Sequence, residues 1–184
     1  VPQGGSGAAT GYQVYRSTDG YGFGEPIEAS GTSILITNAP DDTPLYFRVT
    51  AVNPGGESLP SPTVGVRRSS KTAQSRILFV NGFSRFDRAL NLRQNLAPSA
   101  YRPPGHDQNT GAADRVLPAR VNSFDYVVPH GEAIDAFGWP FDSCQRAHVA
   151  NGAVGFEDYQ VVMWAAGNQS TADHTFNPLE QAAI

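Results

Sequence analysis

Three short stretches hold the side chains that could do chemistry in this sequence. His130-Gly131-Glu132 offers an imidazole and a carboxylate, and the stretch from Gly167 to His174 offers Asn168, Ser170, Thr171, Asp173 and His174. Asn81-Gly82-Phe83 adds an amide beside a glycine. One arrangement of these groups is hydrolytic. Ser170 or Ser143 would be the nucleophile, His130 the base, and Asp142, Asp173 or Glu132 the group that orients the imidazole. Such a set works only if nucleophile and base come within hydrogen-bond reach. The sequence has no Gly-x-Ser-x-Gly elbow to present the serine. The plainer alternative is that Asp142 and Ser143 cap a helix and His130 satisfies a loop carbonyl.

Other chemistries are weaker. His130, Glu132, Asp173 and His174 lack a tight ligand spacing such as His-Glu-x-x-His, so no metal site is expected. Asn81-Gly82-Phe83-Ser84 lacks the glycine spacing of a dinucleotide or phosphate loop, so no cofactor is expected either. Cys144, the only cysteine, stands near a predicted helix start, where a thiolate is favoured. It does not directly follow a strand, and burial in packing is the preferred reading. Asn168-Gln169-Ser170 fits a glycosylation sequon, which matters only in a eukaryotic secretory protein.

The elements around these residues divide the chain. Gly11–Arg16, Ser33–Thr37, Leu45–Val52 and Val64–Arg67 read as short strands separated by Asp-Gly, Asn-Pro-Gly-Gly and proline turns. The third alternates over eight residues, the period of a half-buried strand. Regular short strands with turn signals indicate a β-sandwich over residues 1–68. Residues 69–75 are polar and read as a linker. Beyond it, Arg76–Val80, Phe124–Val128 and Tyr159–Ala165 are continuous apolar runs, suited to parallel strands buried on both faces. Helices are predicted over Phe86–Leu96, Glu132–Phe137 and Ser143–Asn151. A last one opens with Asn177 as cap and Pro178 at its first position. This is the opening of a doubly wound α/β domain over 76–184. Residues 97–122 form a long insertion whose core, Pro103 to Gly111, suits neither helix nor strand. In an open α/β sheet ligands bind beyond the carboxyl ends of the strands. That rule selects the three stretches named first. The site expected there has His130, Ser170, Asp173 and Glu132 as catalytic candidates. Asn81, Gly82, Asn168 and Thr171 are its ligand-binding candidates.

Composition narrows the partners. The 184 residues carry a net charge of −4 with no basic run, which argues against nucleic acid. No run approaches the ~20 apolar residues of a membrane span. With one cysteine, no internal disulfide forms. The start has neither the basic region nor the apolar core of a signal peptide. Either a signal was removed or the chain begins within a longer protein. The final helix stops without a terminating residue, and the α/β domain is expected to be truncated at its C-terminus.

Two resemblances add to this. Gly11-Tyr12-Gln13-Val14-Tyr15-Arg16 resembles the third strand of a fibronectin type III module. Phe47-Arg48-Val49-Thr50-Ala51-Val52-Asn53, followed by Gly55-Gly56-Glu57-Ser58, resembles its sixth strand and turn. Leu45 replaces the corner tyrosine, and the first two strands, with their tryptophan, are missing. Asn81-Gly82-Phe83, the run from Asp125 to Ile134, Phe141-Asp142-Ser143-Cys144, and Trp164 with Gly167–Thr171 resemble a Rossmann-like region. That region follows such a module in large secreted bacterial proteins labelled xanthan lyase-like or N-acetylmuramoyl-L-alanine amidase. The resemblance implies an extracellular or cell-surface bacterial setting. It also implies polysaccharide or peptidoglycan, and other domains of the same polypeptide, as partners. The chain would be an accessory part of a protein whose catalytic domain lies elsewhere. The alternatives are that the α/β domain is itself a hydrolase, or that the whole is a structural spacer. Tyr21 and Phe23 either stack on a sugar or cover a sheet edge.

Overall fold

The computed structural model describes residues 7–71, 76–83, 93–96, 111–114, 125–167 and 175–184. Its strands are β1 (Gly11–Ser17), β2 (Ile27–Ala29), β3 (Pro44–Asn53), β4 (Gly56–Glu57), β5 (Val64–Arg67), β6 (Ile77–Asn81), β7 (Arg93–Leu96), β8 (Gly111–Asp114), β9 (Phe141–Gln145) and β10 (Val161–Ala165). Its helices are α1 (Val127–Ala136), α2 (Arg146–Ala150) and α3 (Pro178–Ala183). Contacts group Val1–Ser84 with Asp125–Ile184 in one unit and Arg85–Phe124 in another.

The first unit is built on a mixed eight-stranded sheet in the order β10-β6-β9-β5-β3-β1-β2, with β4 paired to β3. Its first half is antiparallel. β1 runs against β3 from Gly11 opposite Val52 to Ser17 opposite Tyr46, and β5 lies on the far side of β3. Its second half is parallel, with β6 between β9 and β10. One registered pair, Arg67 with Phe141, joins β5 to β9 and so joins the halves.

Side-chain alternation sends odd positions of β6 to one face and even positions to the other. Ile77 and Phe79 pack with Phe141, Met163 and Val127, Val128 and Ile134 of α1. Leu78 and Val80 pack with Cys144, Trp164 and Val149 of α2. Helices therefore cover both faces of the parallel strands, which is why β6 is buried at every position.

α1 also reaches the antiparallel half. Tyr46, fully buried, belongs to the same core cluster, and burial pushes its hydroxyl pKa up to about 12. Full burial of a side chain this size is worth about 1.5–3 kcal/mol. Three glycines permit the approach. A Cβ on Gly131 would lie 2.6 Å from Tyr46 Oη, and one on Gly65 3.0 Å from the same ring. A Cβ on Gly20 would lie 2.5 Å from Val128, and Gly20 also needs its φ of 77° for the turn after β1. Two arginines hold the helix ends. Arg48 of β3 donates to Asp125, just before α1, and lies 4.2 Å from the Phe23 ring centroid. Arg67 of β5, only 6 % exposed, donates to Asp135 at 2.6 Å and to the Gly138 carbonyl at 3.0 Å.

Several expectations are corrected. The run Phe124–Val128 does not supply the second parallel strand; Val127 opens α1, and the strand is Phe141–Gln145. The buried positions 127, 128, 131 and 134 have helical spacing. Pro129 falls in the first turn, where no intrahelical N–H is needed. The helix expected from Ser143 starts at Arg146 instead. The strand tolerates Asp142 and Ser143 because each finds a partner. Asp142 accepts from Arg76 and from Tyr159 at 3.1 Å, and the Gly65 N–H donates to Ser143 Oγ at 2.6 Å. Ser33–Thr37 is not a strand; β2 takes the place beside β1, and Leu35 is left exposed. Phe23 is a core neighbour rather than a free ring, whereas Tyr21 is exposed. The last helix forms as expected, with a capping box between Asn177 and Glu180 and Pro178 at its start.

In the second unit β7 and β8 pair antiparallel, from Arg93 opposite Asp114 to Leu96 opposite Gly111. The helix expected over Phe86–Leu96 is thus replaced by strand in its last four residues. A ladder partner satisfies backbone groups that a short isolated helix holds only marginally. The rest of that expected helix, and most of the insertion, lie outside the described residues.

Candidate functional site

The carboxyl ends of β6, β9 and β10 converge where the strand-end rule places a ligand. The chain leaves β6 toward β9 on one side and later returns to β10 on the other, so β6 and β10 meet at a reversal of strand order. Asn81 ends β6, is 3 % exposed, and turns its Oδ1 to accept from the Phe83 N–H at 3.1 Å. Gly82 donates to the Ala165 carbonyl at 2.7 Å. A Cβ there would lie 2.2 Å from that oxygen, so only glycine fits. A Cβ on Gly167, at φ 75°, would lie 2.4 Å from the Gly82 carbonyl oxygen. Gly82 is thus fixed as a backbone crossing.

Parity along the strands puts Asn81 and its register partner Gln145 on the α1 face. His130 stands on that face too, its ring centroid 4.8 Å from that of Phe79. Phe83 stacks on Tyr126 at 4.5 Å, forming a half-buried aromatic pair where β6 meets the start of α1. The structure therefore gathers Asn81, Phe83, Tyr126, His130 and Gln145 at one corner. Tyr126 and Gln145 were missed in the sequence. Gln145 becomes visible only once Phe141–Gln145 is known to be a strand, since a strand's last residue is where the rule looks.

The hydrolytic set does not form among the described residues. His130 Nδ1 lies 2.6 Å from the Tyr126 carbonyl, so it carries the proton and donates. This is the carbonyl-satisfying role, one turn back along α1 rather than in a loop. Nε2 is left able to accept or bind. Glu132 is exposed on α1 and no described hydrogen bond links it to His130. Ser143 takes the Gly65 N–H, and Asp142 is engaged by Arg76 and Tyr159. Cys144 is buried in β9, and burial pushes its thiol up to about 11, the behaviour of a packing residue. Asn168, Ser170, Thr171, Asp173 and His174 lie outside the described residues. No described group of three or more His, Cys, Asp or Glu could hold a metal ion.

Behind β9, Arg146 donates to both carboxylate oxygens of Glu180, which is fully buried. Burial raises the Glu180 pKa, but the Arg146 guanidinium and the Asn177 N–H outweigh it and hold the carboxyl below its ordinary value. Among the described residues, two buried donors, Gln145 Nε2 and Arg146 Nη1, have no hydrogen-bond partner.

No protein-family model, curated protein or solved structure matches this chain.

Proposed function

We propose that the chain is an accessory, non-catalytic region of a secreted or surface bacterial protein, and that it binds cell-wall or extracellular polysaccharide at the β6–β9–β10 strand ends. In this reading the first segment is a fibronectin type III-like sandwich and the second part of a Rossmann-like domain. The observation that carries the binding role is the stacked Phe83–Tyr126 pair beside Asn81 and His130. Aromatic faces bind the C–H faces of sugars, while amide and imidazole groups meet their hydroxyls. The resemblance to regions of xanthan lyase-like and amidase proteins supports the same class of ligand.

Isothermal titration with soluble peptidoglycan fragments and with an extracellular polysaccharide tests this. The native chain should bind one of them without releasing new reducing ends. Phe83→Ala should weaken binding about fivefold or more. If the native chain cleaves the glycan, and His130→Ala abolishes turnover while affinity holds, the second domain is the hydrolase. If neither binding nor cleavage occurs, the chain is a spacer.

A further inference from the structure

We infer that the amino ends of β6 and β9 form a second site, which takes an oxyanion carried on a single sugar-sized unit. A pocket of about 270 Å³ lies there, lined by Arg67, Arg68, Lys71, Arg76, Phe141 and Asp142 among others. Pockets for drug-sized ligands span roughly 300–1,000 Å³, so this smaller space holds about one ring. The sheet itself builds it. β5 ends at Arg67, β6 begins just after Arg76, and Phe141 pairs with Arg67 on one side and Ile77 on the other. The site stands at the opposite end of the parallel strands from the aromatic pair and shares no residue with it.

The lining holds four cations and one carboxylate, on a chain whose net charge is −4. The counter-charges lie mostly outside it. Arg67 is neutralised by Asp135 and Asp42, and Arg68 by Asp41 at 3.1 Å. Only Asp142, paired with Arg76, is in the wall. Lys71 makes no ion pair among the described residues. The guanidinium forks are partly spent. Arg67 uses Nε and Nη1, and Arg76 uses Nη2 on Asp142, which leaves N–H donors to spare on both. Arg76 is also fixed over the Tyr159 ring at 5.0 Å. Positioned guanidinium groups with an ammonium nearby recognise carboxylate and phosphate oxygens. A uronic acid and a sugar phosphate share this chemistry.

Chemical-shift mapping of the full chain with glucuronate, glucose 6-phosphate, glucose and inorganic phosphate tests the site. Glucuronate or glucose 6-phosphate should bind saturably, shift amides of residues 67–71, 76 and 141–142, and weaken with added salt. Which of the two binds more tightly identifies the oxyanion. The double variant Arg68→Met/Lys71→Met alters exposed side chains and should keep the native spectrum. It should lose about tenfold in affinity. The inference is overturned if glucose binds as well as its charged relatives, or if the double variant binds unchanged. It is also overturned if inorganic phosphate binds as tightly as either charged sugar, since the ring would then contribute nothing.

Discussion

Asp19 shows how much one side chain can organise without burial. Its carboxylate accepts from the Tyr21 and Gly22 N–H groups, both at 2.8 Å, and from the Ser17 hydroxyl at 2.7 Å. The Gly22 and Tyr21 bonds, followed by Ser17, lower its pKa to about 2. A depressed carboxylate pKa stabilises the fold above the unfolded value near 4 and loses that contribution as pH falls toward 2. A carbonyl-carbon NMR titration should place Asp19 near 2, and the Gly22 amide should shift with the same midpoint. A midpoint near 4 would mean the turn does not hold the carboxylate. The Asp-Gly pair was legible as a turn in the sequence, because φ is positive at the glycine. That this turn also abuts Val128 was not, since its partner lies more than a hundred residues along the chain.

At the scale of elements, α1 is the informative case. Two apolar valines after an aromatic residue look like a buried strand until the next two turns are counted. Val127, Val128, Gly131 and Ile134 then fall on one helical face. The strands β3, β5, β6 and β10 were readable from apolar runs or alternation. β9 was not, because Asp142, Ser143 and Gln145 are poor strand formers, and Asp142 and Ser143 become acceptable only through partners elsewhere in the fold. The candidate site was legible in the same uneven way. Asn81 was found by the strand-end rule, His130 was reached only through a run that folds as α1 rather than as a strand, and Gln145 awaited the correct strand. Gly131 allows a direct test of α1 docking. Alanine there would gain about 1 kcal/mol of helix propensity. Its Cβ would meet Tyr46 Oη at 2.6 Å and Phe141 Cζ at 2.8 Å, in a core where both rings are fully buried. Overpacking costs about 1–3 kcal/mol, so urea denaturation of Gly131→Ala should show a net loss of stability. A gain would mean that α1 stands off the sheet.

For the molecule as a whole, the helix contacts cross the polar segment 69–75. Arg48 and Arg67 of the first segment bond residues on either end of α1 in the second, and Tyr46 lies in the shared core. Thermal unfolding should therefore show one transition for residues 7–71 and 125–184. Tryptophan fluorescence reports the second segment, and amide signals of β1 and β3 report the first. Arg67→Met should lower both midpoints together, through a loss of about 1–3 kcal/mol in hydrogen bonding to Asp135 and Gly138. Two separate midpoints would show that the segments melt independently.

The narrow seam between β5 and β9 also has a mechanical meaning. Tension applied through the two ends of the chain loads the seven-residue β1–β3 ladder and the five-residue β6–β9 ladder along many bonds. Between them lie a single registered pair and the bond from the Gly65 N–H to Ser143 Oγ, so most of the resistance at the seam falls to α1 and its two arginines. Under a steady pull the first extension should come from α1 peeling off Tyr46, with both ladders intact. A seam built this way would yield a short length of chain at low force while the strand ends of both ladders kept their shape.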